Sequence, residues 1–222
     1  MRTLVAAAHG TRDPCGQATI HTLVDRVRAL RPALRVRVGY VDVQEPSLEA
    51  VLAGCPTPVV VPVLLSTGQH VAVDIPRSVA WAAPDARIAP PLGPDPALAR
   101  LLACRLRAAG ITSGDAVVLA SAGSSHPAAR RAVMRAAGML QACLGLPVLP
   151  AEASPARSNL EEAVAAARAV ASGGVGVASY LLAPGFFASR IAAAPADVVT
   201  PPIGPDETVA HLVLRRYDVA AR

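Results

Sequence analysis

Residues 4–14 read Leu4-Val5-Ala6-Ala7-Ala8-His9-Gly10-Thr11-Arg12-Asp13-Pro14. Five apolar residues without polar alternation, stopped by His-Gly, have the form of a strand buried on both faces. Ile20, Leu23, Val24, Val27 and Leu30 then recur at helical spacing. Outward from this start the same alternation continues. Strands are expected at 36–41, 59–65 and 86–89, and helices at 47–53, 71–81 and 96–109. Strands alternating with helices argue for an α/β fold with a parallel sheet covered on both faces.

The pattern then restarts, with strands expected at 116–120, 148–151 and 175–182. Helices are expected at 127–144, 159–172, 187–193 and 207–219. Gly10 and Pro14 align with Gly123 and Pro127, an offset of 113 residues. Ser47-Leu48-Glu49 echoes Asn159-Leu160-Glu161 at 112, and Leu64-Leu65-Ser66-Thr67-Gly68 matches Leu181-Leu182-Ala183-Pro184-Gly185 at 117. A nearly constant offset marks a duplicated unit. We expect one lobe at 1–110 and its homologue at 115–222, joined through Ile111–Gly114.

Of the 222 residues 53% are hydrophobic but only 3% aromatic, so the core is built from Val, Leu and Ala. All 21 basic residues are Arg, and the net charge is +5. They are dispersed, without a basic run interleaved with aromatics, which argues against nucleic acid; a polyanionic small molecule suits such a field. Cys15, Cys55, Cys104 and Cys143 form no C-x-x-C pair, which speaks against zinc-ribbon and iron–sulfur sites. Leu4–Ala8 is too short for a signal-peptide core and no apolar run reaches membrane-spanning length, so a cytoplasmic protein without membrane contact is expected.

Ligands of such folds bind beyond the carboxyl ends of the strands. His9 follows the first strand, Glu45 lies after the second and His70 after the third. Imidazole and carboxylate together suit Fe²⁺, Co²⁺, Ni²⁺ or Zn²⁺. The matching places in the second half are Ala122, about Arg157, and Phe187, which supply no such set. On placement alone, a metal site and ordinary loop histidines remain equally open.

The local sequences carry a resemblance. Residues 5–14 resemble the opening HGS/TRDP motif of the sirohydrochlorin chelatases. Val41-Asp42-Val43-Gln44-Glu45-Pro46-Ser47-Leu48 is similar to that family's second motif. Leu64-Leu65-Ser66-Thr67-Gly68-Gln69-His70-Val71-Ala72-Val73-Asp74-Ile75-Pro76 is similar to its third. The three occur in order, and the longer members also consist of two homologous halves.

The resemblance implies two chelatase-like α/β lobes around a cleft and insertion of Fe²⁺ or Co²⁺ into sirohydrochlorin, without nucleotide. It implies His9, Glu45 and His70 as catalytic and metal-handling residues, with the metal a substrate and no permanently bound cofactor. Ser66-Thr67 departs from a more apolar pair common in the family. Sirohydrochlorin is a polycarboxylate, so Gly10, Thr11 and Arg12 at a helix start, with Ser66, Thr67 and Gly68, are expected to bind substrate. Iron, for sirohaem, is preferred over cobalt, for cobalamin. A tetrapyrrole or metal carrier without turnover and a metal-dependent hydrolase are the competing classes.

Other residues receive structural expectations. His21 and His211 are expected at the surface and Trp81 in the core; Asp74-Ile75-Pro76 reads as a turn and helix signal. His126, in the place of Asp13, and Arg190 are open between pocket and structural roles. A fused pair of lobes is expected to be a monomer.

Overall fold

The structure, a computed structural model, describes residues 2–156 and 158–222. Arg157, set opposite Glu45 in the repeat, lies outside the described residues. The first repeat runs β1 (Leu4–Ala8), α1 (Pro14–Leu30), β2 (Val36–Tyr40), α2 (Leu48–Ala53) and β3 (Val59–Pro62). A π-helical turn (His70–Asp74) then leads into α3 (Ile75–Ala82), followed by β4 (Arg87–Ile88) and α4 (Pro96–Ala108). The second runs β5 (Ala116–Ser121), α5 (Pro127–Leu144), β6 (Val148–Glu152), α6 (Leu160–Val170), β7 (Val175–Ser179), α7 (Phe186–Ala192), β8 (Val198–Val199) and α8 (Glu207–Ala221).

Two four-stranded sheets result, ordered β2-β1-β3-β4 and β6-β5-β7-β8, and every strand pair in both is parallel. The α/β duplication read from the sequence is therefore present in the fold. β1 and β5 are central, which explains their unbroken apolar runs: each is buried along its whole length. In the first sheet Val5, Ala7 and Val60 pack on Leu48, Val51 and Leu52 of α2 and Ile75 and Val79 of α3. The alternate residues face the opposite side, the side of α1 and α8. In the second, Val118 and Ala120 pack on Leu160, Ala163 and Val164 of α6 and Ile191 of α7.

The helices begin where capping side chains allow. Asp13, Ser47, Asp95 and Asp206 each accept a backbone N–H in the first turn of the helix that follows, and Pro14 and Pro96 sit where no N–H is needed. β3 is shorter than its apolar run, pairing with β1 only as far as Ala7 opposite Pro62. Leu64 leaves the strand and packs on the core beside α2 and α3.

The chain forms two compact units, Met1–Leu92 with Pro205–Arg222, and Gly93–Gly204. The packing boundary thus differs from the repeat boundary, because α4 belongs to the second unit and α8 to the first. α4 packs on α5, and Arg105 and Arg107 donate to the carbonyls of Pro202 (3.1 Å) and Cys143 (2.7 Å). α8 packs on α1 and β3; Tyr217 donates to Arg2 O (2.7 Å), and Asp218 accepts both amino groups of Arg31.

Ile111–Gly114, expected to join the two repeats, packs with the second unit, and one expectation, that for Trp81, is corrected. Ile111 is buried, and Asp115 receives the N–H groups of Thr112 and Gly174, both at 2.6 Å. Trp81 is not core: it is 84% exposed. α3 buries Ile75, Ser78 and Val79, and a residue two places after Val79 points away from that face.

Candidate functional site

His9 leaves the end of β1, and the backbone fixes how it does so. Gly10 has φ +93°, and a Cβ there would run into the carbonyl oxygen of Asp42. That close approach is held by ladder bonds beyond the strand, Val41 N–H to Ala8 O and Asp42 N–H to His9 O, both 3.0 Å. Gly123 repeats the conformation at φ +96° after Ala122. The two lobes thus keep one backbone, and only the first places an imidazole on it.

His70 arrives from the loop after β3, at the start of the π-helical turn. The structure brings it to His9: the two Nε2 atoms are 2.9 Å apart, with the rings edge to face. His9 Nδ1 lies 3.0 Å from Gly10 O, and His70 Nδ1 lies 2.8 Å from a carboxylate oxygen of Asp74. Both partners only accept, so each ring is assigned its proton on Nδ1 and turns its Nε2 lone pair toward the other. Two lone pairs at this distance repel unless a proton or a metal ion stands between them. A divalent ion with two Nε2 ligands at about 2.1 Å and a right angle between them sets those atoms about 3.0 Å apart. The pair has that spacing.

Glu45 is held differently. It is exposed, and its carboxylate accepts the N–H of Ser47 at 2.7 Å. It borders a cavity of about 200 Å³ with Tyr40, Val41, Asp42, Val43, Gln44, Ser47 and Glu49. Among the described residues no three His, Cys, Asp or Glu side chains form a group that could hold a metal ion. The sequence-read trio is thus a histidine pair with a separately anchored glutamate.

The first loop is already well bonded. Thr11 N–H donates to Gln44 Oε1 (3.2 Å), its carbonyl accepts from Gln17, and Asp13 caps α1 by accepting from Gly16 N–H (2.9 Å). The helix start carries its own carboxylate, which occupies the place an external anion would take. Arg12 is exposed beside it. Ser66, Thr67 and Gly68 are half-buried, and Gly68 O accepts from Ala72 N–H at 3.0 Å.

Asp74, expected as part of a turn and helix signal, directly precedes α3, and it also lies against His70, a contact the sequence reading did not anticipate. Its spacing of four from His70, on a segment expected to be helical, was the available signal. His126 plays a structural part, since its Nδ1 accepts Ala128 N–H at 3.3 Å, the capping role of Asp13 in the other repeat. Arg190 donates to Ala153 O (2.7 Å) and stacks on Phe186, 5.9 Å from the ring centroid. His21 and His211 are exposed as expected; His21 lies 3.5 Å from the Tyr40 hydroxyl, and His211 lies 3.5 Å from Glu207. Among the described residues no helix is long and apolar enough to cross a membrane.

The chain is 28% identical over 151 residues to the sirohydrochlorin ferrochelatase of Bacillus subtilis, an alignment spanning 63% of this chain and 58% of that protein. Less than two thirds of that relative's length is therefore matched. SirB from Bacillus subtilis with Fe³⁺ superposes with a TM-score of 0.81 at 24% identity, covering 100% of this chain and 96% of that one. The sirohydrochlorin chelatase SirB from Bacillus subtilis subspecies spizizenii in complex with cobalt gives 0.80 at 25%, with coverage of 100% and 96%. The CbiX pattern matches twice, at residues 3–109 and 116–220, once in each repeat. By that double match over nearly its whole length, the chain belongs to the CbiX family of sirohydrochlorin chelatase relatives.

Proposed function

We propose that this chain is a chelatase that inserts Fe²⁺ into sirohydrochlorin, the reaction named for its Bacillus subtilis relative. The observation that carries the proposal is the His9–His70 pair, two Nε2 atoms 2.9 Å apart, from the residue after β1 and the loop after its neighbour β3. Two imidazoles with the remaining coordination positions open suit an ion that must be passed on, whereas a closed tetrahedral set retains it. In the balanced reaction two ring N–H protons leave as M²⁺ enters. Each Nε2 lone pair released by the departing metal accepts one of those protons and gives it up to water. Glu45 assists by attracting the incoming cation or taking up protons. Arg12 binds a substrate carboxylate. Gly10 and Thr11 shape its loop, and Ser66, Thr67 and Gly68 shape the one before His70.

The test is metal insertion followed by absorbance, anaerobically, with Fe²⁺ and with Co²⁺. We expect acceleration over the uncatalysed rate, faster with Fe²⁺ at equal free metal. His9→Ala and His70→Ala should each lower it by about 10²-fold or more with the fold intact. Faster insertion of Co²⁺ assigns cobalt as the metal. Binding without acceleration by either metal sinks the enzyme reading and leaves a carrier.

A further inference from the structure

We infer that Asp74 is a positioning residue that holds His70 in its metal-binding tautomer and so sets how tightly the histidine pair retains a divalent ion. The inference rests on the proposed function of that pair. A neutral imidazole unconstrained by neighbours distributes its proton between both nitrogens, and only the Nδ1–H form offers Nε2 to a metal. The Asp74 carboxylate, 2.8 Å from His70 Nδ1, selects that form and makes the ring a stronger donor. Its other oxygen lies 3.3 Å from Arg77 Nη2. The carboxylate is one-fifth exposed and the imidazole under one-third, so the contact is partly shielded from water.

The duplicated lobe shows that the fold does not require this pair. At the offset of 117 that aligns Gly68 with Gly185, His70 corresponds to Phe187 and Asp74 to Ile191. Ile191 is buried, and Phe187 packs against the same core. There the helix runs as a regular α-helix over Phe186–Ala192, whereas His70–Asp74 is wound as a π-helical turn. Histidine, aspartate and the π-turn thus occur together in one lobe and are replaced together in the other. π-turns concentrate at functional sites. An apolar pair satisfies the architecture, so the polar pair has a chemical reason.

The experiment titrates the intact protein with Co²⁺, read by its visible spectrum and by calorimetry. Wild type is compared with Asp74→Ala, Asp74→Asn and His70→Ala. Asp74→Ala should weaken Co²⁺ binding about 10–100-fold. Asp74→Asn, which keeps an oxygen acceptor for Nδ1–H, should recover most of the loss. In metal-free protein, ¹⁵N NMR of His70 should show a fixed Nδ1–H in wild type and a tautomer mixture in Asp74→Ala. In turnover, the KM for metal should rise more than kcat falls. Unchanged Co²⁺ affinity in Asp74→Ala, where His70→Ala loses it, overturns the role of Asp74 alone. Unchanged affinity in His70→Ala removes the metal site and the proposed function with it. If Asp74→Ala fails to fold, a wild-type His70 protonated on Nε2 is the result that overturns the inference.

Discussion

At the scale of single residues, the two lobes act as controls for one another. Gly10 and Gly123 have nearly the same φ, but a Cβ at Gly10 meets a backbone carbonyl, whereas at Gly123 it first meets the Ser154 Cβ at 3.0 Å. Gly10→Ala is therefore expected to cost about 1–3 kcal/mol, to exceed Gly123→Ala in thermal melts, and to impair metal insertion by displacing His9. His126 makes the opposite case. Its cap on α5 predicts that His126→Ala loses about 0.5–1 kcal/mol of stability with metal-insertion rates intact. A loss of turnover as severe as that of His9→Ala would show both lobes to be working halves.

At the scale of elements, carboxylates bind loops to strands. Asp115 joins the turn before β5 to the one before β7 through the N–H groups of Thr112 and Gly174. Asp115→Ala strands two donors at a largely buried position and should cost about 1–3 kcal/mol in denaturant unfolding. The same bonds hold the Asp115 carboxyl below the usual carboxylate range. Bonds from Val175 N–H and Arg168 do so for Asp197, and Arg31 does so for Asp218. A lowered folded-state pKa contributes stability that is full above the unfolded value, about 3.9, and is lost as pH falls through the folded one. Melting temperature should accordingly be flat with respect to these groups near neutrality and fall below about pH 4, less steeply in Asp115→Asn. On the alkaline side burial pushes all three tyrosines up. Stability should decline above about pH 10, where the unfolded chain ionises first.

At the scale of the whole molecule, the compact units and the sequence repeats are different divisions of one chain. α8 supplies Val209, Leu212, Val213 and Tyr217 to the core of the first unit. A fragment of residues 1–110 carries the whole first repeat but lacks that helix. We expect it to aggregate or to lack a cooperative melt, whereas 93–204, which is continuous, folds alone. A cooperative transition in 1–110 would contradict the packing boundary. The intact chain is expected to sediment as a monomer.

The order of residues alone settled the duplication and the parallel α/β alternation, because unbroken apolar runs and a constant offset are properties of local pattern. It also singled out the family, through three motifs in order. Contacts between distant segments settled the rest. They placed two Nε2 atoms from positions 61 residues apart within 2.9 Å and set Glu45 on its own anchor. They gave α4 and α8 to the opposite units from those the repeat suggested. Trp81 turned outward because a helix has one buried face, and composition does not reveal which. Asp74 precedes α3 as the helix signal implies, and the fold adds its contact with His70. A hydrogen bond across one turn is specified by geometry, and residue type alone leaves it open.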